Sequence, residues 1–277
     1  MSNNATRHTV DETSPLLGRP AGSRTDQKSV LSAQSLKKHF QADVTKNWAD
    51  LVLLFCYIIT GLLDSSAVFI WGSFVSMQTG NTVYLGLGLI APTEGIRWLK
   101  ALTSILFFCL GSFTFARFHR HFSPAKRWVL ISSYSFQTSL IALAASIVTF
   151  GNPPSPSTTS NSLHWQVLVP LAAVAFQSSG QAVTSRALQY NGLTSVVLTS
   201  NYCDLFSDPD LFCWGLGNAE RNRRMAAPAL LLLGACGGGL YAHSGVGLAG
   251  ALWTAVGLKA CAVLAWVFWK AEGDGVE

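Results

Sequence analysis

Six stretches of the chain are apolar over about the length of a bilayer crossing: 51–71, 98–117, 128–150, 165–183, 226–243 and 247–269. At 1.5 Å of rise per residue, roughly 20 helical residues cross the hydrocarbon layer, so each run predicts a transmembrane helix. The pattern therefore predicts an all-α polytopic membrane protein of about six spans. Residues 72–91 are also uncharged but hold Gly72, Gly80, Gly86, Gly88 and a Thr79-Gly80-Asn81 triplet. Interior glycine costs a helix about 1 kcal/mol relative to alanine. A seventh full span would also carry one basic cluster to the wrong side. A short, broken or re-entrant element is expected here, which is tolerated at membrane depth only where protein or water satisfies its backbone.

Basic residues orient the spans. Lys37, Lys38 and Lys46 precede the first run, Arg117, Arg120, Lys126 and Arg127 join the second to the third, and Arg186, Arg221, Arg223 and Arg224 lie between the fourth and fifth. On a six-helix path all three clusters fall on one side, the cytosolic one by the positive-inside rule. The opposite connections, 151–164 and 244–246, carry no Lys, Arg, Asp or Glu. Residues 1–47 are too polar to offset their ordering entropy and read as a disordered cytosolic tail. The transmembrane domain is expected over 48–270, in halves of about 48–150 and 165–270, with a short cytosolic tail at 271–277. The polar start lacks the apolar core of a secretory signal, so no cleavage is expected. Leu36 and Phe40 suit a short interfacial helix ahead of Trp48, although Lys37 and Lys38 read equally well as flanking charge.

The second half echoes the first. Asp64-Ser65-Ser66-Ala67 precedes Thr79-Gly80-Asn81, and Gln177-Ser178-Ser179-Gly180 precedes Thr199-Ser200-Asn201. Three spans per half bring the halves in from opposite sides, so this is a 3+3 inverted repeat with two broken or re-entrant T-x-N elements, a plan common among secondary transporters. Chance recurrence of small polar residues is the competing explanation.

Composition sharpens the class. Of 277 residues, 49% are apolar and 12% charged, about half the charged share of a soluble domain. The net charge of +5 comes from clusters beside apolar runs, which does not suit nucleic acid. Asp64 and Lys259 are the fully charged residues at the middle of the first and last runs. A charge at the bilayer centre costs about 2.5–3.5 kcal/mol, so both should face the interior, and an Asp64–Lys259 ion pair is the cheapest arrangement. Gln177 and Gln181 share a helix face at i, i+4 and read as lining a polar path or as interhelical hydrogen-bond partners. Gly234 and Gly238 allow close helix approach, and His243 reads as an interface residue. Cys56, Cys109, Cys236 and Cys261 lie in apolar runs, and Cys203 and Cys213 lack C-x-x-C spacing, so neither disulfides nor zinc is indicated. Asp204, Asp208 and Asp210 fit no calcium loop. With no G-x-S-x-G, Walker loop or H-E-x-x-H, no enzymatic activity, metal or cofactor is expected.

Gly61-Leu62-Leu63-Asp64, Phe74 through Gly86, Phe176 through Leu211 and Asn218 through Arg224 resemble the YoaK-like family of integral membrane proteins, domain of unknown function 1275, in its fungal branch. The resemblance covers roughly 48–270 and implies about six helices, no cofactor and no established activity. Lys259 is not part of the family pattern, and Ser200 stands where the first triplet has Gly80.

The expected function is a secondary transporter of a small solute or ion, with Asp64, Thr79, Asn81, Gln177, Gln181, Thr199 and Asn201 lining the path. A non-transporting scaffold or accessory subunit is the alternative. Expected partners are the lipid bilayer, a small solute or ion, and a second copy in a homo-oligomer, but no nucleic acid. Glu12, Leu16 and Leu17 match the spacing of an acidic dileucine sorting signal, which points to an endomembrane or vacuolar membrane, with the plasma membrane as the alternative.

Overall fold

The computed structural model describes residues 34–35, 37–151, 163–213, 215 and 217–272, so Leu36 and the Glu12, Leu16 and Leu17 signal lie outside the described residues. The chain divides into Met1–His39 and Phe40–Glu277. In the first unit residues 34–35 and 37–39 are helical. The second is built of α1 Ala49–Trp71, α2 Gln78–Ile90, α3 Arg97–Phe122, α4 Arg127–Phe150, α5 Trp165–Ala187, α6 Thr199–Phe206, α7 Ala219–Ala242 and α8 Gly247–Phe268. A 3-10 turn at Asn191–Leu193 precedes α6. Six of these helices, all except the short α2 and α6, are long and apolar enough to cross a membrane. Among the described residues there is no β-strand, only isolated bridges at Asp43–Lys126 and Val44–Ala271. The protein is an all-α polytopic membrane protein.

Burial separates the six long helices into two kinds. The apolar windows of α1 and α5 are 72% and 78% buried, against 22–33% for the other four. Two helices thus form the centre, and the four around them expose Leu106, Phe113, Leu143, Leu232, Leu240 and Leu264. In a membrane such apolar side chains meet lipid and need no protein cover.

The packing has a two-fold pattern. α1 packs along α7 as α5 packs along α3, α4 packs on α5 as α8 packs on α1, and the short α2 and α6 lie on α3 and α7. Exchanging the halves maps each pairing onto its counterpart. Glycine permits the closest crossings: a side chain at Gly234 or Gly238 would run into the α1 backbone at Ile58 or Leu62, and one at Gly111 of α3 would strike the Phe176 carbonyl of α5. Small residues at such crossings let van der Waals contact drive helix association where no hydrophobic force exists between helices. His243 packs against Phe69 with ring centroids 4.9 Å apart and the planes tilted by 50°.

One end of the bundle is tied together by the basic segments. Arg127 N donates to Ala42 O at 3.1 Å, Val44 N to Ala125 O at 2.8 Å and Glu272 N to Asp43 O at 2.8 Å. Arg223 meets Asp50 at 2.7 Å, and Tyr190 donates its hydroxyl to Lys46 O at 2.8 Å. Asn218 caps α7 by accepting from Arg221 N at 3.0 Å. The buried Arg221 guanidinium gathers the 210–215 loop through the carbonyls of Asp210, Cys213 and Gly215, so this arginine folds the loop as well as marking its side.

Candidate functional site

Between α1 and α2 the chain turns back into the membrane. Gly72, at φ 78°, ends α1 with its N–H bonded to Ala67 and Val68 carbonyls, a left-handed cap that glycine adopts without strain. Residues 73–77 are non-helical. Asp64, two turns back along α1, accepts from the N–H groups of Val75 at 2.8 Å and Ser76 at 2.9 Å and from the Ser76 hydroxyl. The break frees backbone donors, and the carboxylate satisfies them. Charge and backbone thereby meet each other's needs in a site only 3% exposed.

Asp64 therefore needs no cation. The expected Asp64–Lys259 pair is not formed: the Lys259 ammonium donates to Gln181 Oε1 and sits 5.0 Å from the Tyr134 ring centroid. The ammonium instead takes a carbonyl dipole and an aromatic face.

Asn81 completes the first break. Its Oδ1 accepts from Ser73 Oγ at 2.9 Å and Phe74 N at 3.0 Å, and its Nδ2 donates to Phe74 O and Gln78 Oε1, each at 2.8 Å. The break expected at Thr79-Gly80-Asn81 lies instead at 72–77. The triplet falls in the first turn of α2, where Asn81 can reach back as a staple. Ser104 of α3 donates to Phe74 O at 2.7 Å, and Ser178 of α5 to Val75 O at 2.8 Å. Ser178 lies thirteen residues into α5, roughly 20 Å, so α2 begins deep in the bundle.

The second break, 188–198, hangs on a neutral side chain. Gln181 Nε2 donates to Ser195 Oγ and to Thr60 Oγ1 of α1, each at 3.0 Å, and the Tyr57 hydroxyl donates to Gly192 O at 3.3 Å. Asn201 makes only a 3.4 Å bond to Arg224 O, and Thr199 is exposed. Gln177 is fully buried, with neither amide atom bonded. The sequence-predicted path residues thus separate. Asp64, Asn81 and Gln181 are anchors, Gln177 is packed away, Thr199 and Asn201 belong to α6, and only Thr79 lines an open space.

That space is a cleft of about 710 Å³ between α3 and α5. Its inner end is formed by Ser76, Gln78 and Thr79, and its walls include Ser112 and His119 of α3 and Ala182 of α5. Arg120, Ser123, Arg186 and Gln189 surround its outer part, at the end tied by the basic segments. No Asp or Glu is among its lining residues. Sequence reasoning missed Ser76, Ser112 and His119. Phe108, Ser112, Ala116 and His119 recur every three or four residues, which puts them on one face of α3, where small and polar residues follow Phe108 in a stripe legible in the sequence.

The family described as Protein of unknown function (DUF1275) matches residues 52–265, covering α1 through most of α8 and both breaks. No curated protein and no solved structure matches the chain. The matched segment is well over half of the sequence, and the chain belongs to this DUF1275 family of proteins of unknown function.

Proposed function

We propose that the protein is a secondary transporter of a small solute, held here with its site open toward the basic end. The observation that carries this reading is the cleft, which reaches from the tip of the first break, deep in the bundle, to Arg120 and Arg186. Broken elements flanking a central helix pair, in halves related by exchange of their packing, supply the architecture in which one half can rock against the other. By the positive-inside rule the basic end is cytosolic. The reading assigns no covalent chemistry to the cleft. A second copy of the chain remains a proposed partner, and the Glu12, Leu16 and Leu17 spacing supports placement in the vacuolar or another internal membrane.

A cysteine at Ser112→Cys, in a background without native cysteines, tests the cleft directly. It is expected to react with an impermeant thiol reagent applied from the cytosolic side of oriented vesicles, and not from the other side. Failure to label from either side, with the protein folded, would mean a closed interior and would favour the scaffold reading. For the membrane, Leu16→Ala with Leu17→Ala is expected to shift a fluorescent fusion to the cell surface; an unchanged location removes the sorting argument.

A further inference from the structure

The chemistry of the cleft narrows what it can take, an inference that rests on the transport reading above. No side chain caps the N-terminus of α2, and Gln78 and Thr79 of that first turn line the inner end of the cleft. The Gln78 N–H is taken by Ser76 O at 3.1 Å, so the Thr79 N–H and the positive end of the helix dipole are what the turn presents to it. On the wall stands His119, 2% exposed. Its Nε2 lies 3.3 Å from Thr184 Oγ1, and that hydroxyl donates its own proton to Gly180 O at 2.8 Å. His119 Nε2 must therefore be the donor to Thr184. Nδ1 is left without a partner and is an acceptor in the neutral ring, where it can take the O–H of a protonated oxyanion.

Farther out, Arg120 and Arg186 approach from different helices, and neither forms a salt bridge among the described residues. Asp64 lies outside the cleft lining, behind Ser76 of its inner end, and is occupied by Val75 and Ser76. The cleft lining itself carries cationic side chains and, among the described residues, no anionic one.

We propose that the cleft binds a small oxyanion, a phosphate or a short carboxylate, between the N-terminus of α2 and the Arg120 and Arg186 pair. Guanidinium groups and backbone N–H groups are the usual partners of such ligands. Arg120 and Arg186 are exposed at the rim, where a cation would meet like charge and a neutral sugar would gain nothing from the two guanidinium charges.

The test uses the full chain in lipid nanodiscs, with the melting temperature followed by tryptophan fluorescence. Sodium phosphate, sodium succinate, putrescine and glucose are titrated separately at matched ionic strength. Phosphate or succinate is expected to raise the melting temperature saturably. The apparent affinity should weaken about tenfold or more in the Arg120→Gln, Arg186→Gln double variant, the loss of about one charge-assisted contact. Because Arg120 and Arg186 stand at the rim, His119→Ala gives a second check inside the cleft and is expected to weaken the same ligand.

Saturable stabilisation by putrescine or glucose and not by the anions would overturn the oxyanion proposal while leaving the transport reading in place. So would an anion effect that survives undiminished in both variants. If no solute of any charge stabilises the protein and Ser112→Cys also resists labelling, the oxyanion proposal and the transport reading fall together.

Discussion

The two chain breaks occupy equivalent places in the packing but are held by different chemistry. The first is bound by the Asp64 carboxylate through three donors and stapled by Asn81 through four hydrogen bonds to three residues. The second depends on Gln181, whose carbonyl in turn carries the Lys259 ammonium. A carboxylate bonded to freed backbone donors is a fixed anchor, because every alternative leaves those donors unpaired in the membrane. An amide shared between a serine, a threonine and a lysine is one node of a network, and removing one partner changes the others. Internal pseudo-symmetry therefore does not mean equal rigidity: the α2 half is clamped and the α6 half is hinged on a polar cluster.

Asp64→Ala should have the largest effect on stability. It strands the Val75 and Ser76 N–H groups, and each buried unsatisfied donor costs about 1–3 kcal/mol, so a loss of about 4 kcal/mol is expected. Hydrogen exchange should rise at 73–78 and stay unchanged at 191–198. Equal rises in both segments would show that the breaks are not independently anchored.

Gln181→Leu should cost about 3 kcal/mol by leaving the Lys259 charge buried without its carbonyl. Lys259→Met should cost less, since an apolar side chain of similar length needs no partner. The decisive measurement is the double-mutant cycle: Gln181→Leu with Lys259→Met should be more stable than Gln181→Leu alone. Additive losses would mean that Gln181 and Lys259 are not coupled.

The two asparagines isolate the same contrast in equivalent residues. Asn81→Ala strands the N–H of Phe74, while the Phe74 carbonyl keeps Ser104, and should lower stability by about 2 kcal/mol. Asn201→Ala removes one long bond to Arg224 O and should change stability by less than about 0.5 kcal/mol. Comparable melting-temperature losses would remove the asymmetry.

What the sequence disclosed about this architecture follows from the range over which each signal acts. Spans such as 128–150 and α4 Arg127–Phe150 agree because a bilayer imposes one length on every crossing. The chain reversal after α1 was legible because Gly72, Gly80 and the uncharged 72–91 stretch conflict locally with a straight helix. Its anchor was misjudged because pairing Asp64 with Lys259 treats charge as the only need in the membrane. The freed N–H groups of Val75 and Ser76 become visible only once residues 73–77 are known to fold back. His119 was masked by its neighbours, since Arg117, Arg120 and His121 make the segment read as a flanking basic cluster. Gln181 was found as a polar-path residue, but its partners Ser195 and Thr60 come from segments whose approach no local spacing encodes.

A further small effect is expected at the basic end, where Tyr190 leads into the second break. Its hydroxyl bonds to Lys46 O at 2.8 Å, and Arg223 lies over its ring at 5.3 Å. Partial burial is the main cause that pushes the phenol pKa above its ordinary value, the nearby Asp50 charge adds to this, and Arg223 opposes it. A raised folded pKa means that the fold favours the protonated phenol. This contribution is fully present below the ordinary tyrosine value of about 10 and is lost as pH rises through the higher folded value. The wild-type protein should therefore lose a little stability above about pH 10 that Tyr190→Phe does not lose. At neutral pH the substitution should cost about 0.5–1 kcal/mol for one hydrogen bond. Hydrogen exchange at 188–198 should rise in Tyr190→Phe while 73–78 stays protected. That places the latch on the hinged half, and a matching rise at 73–78 would instead make Tyr190 a clamp on the whole end of the bundle.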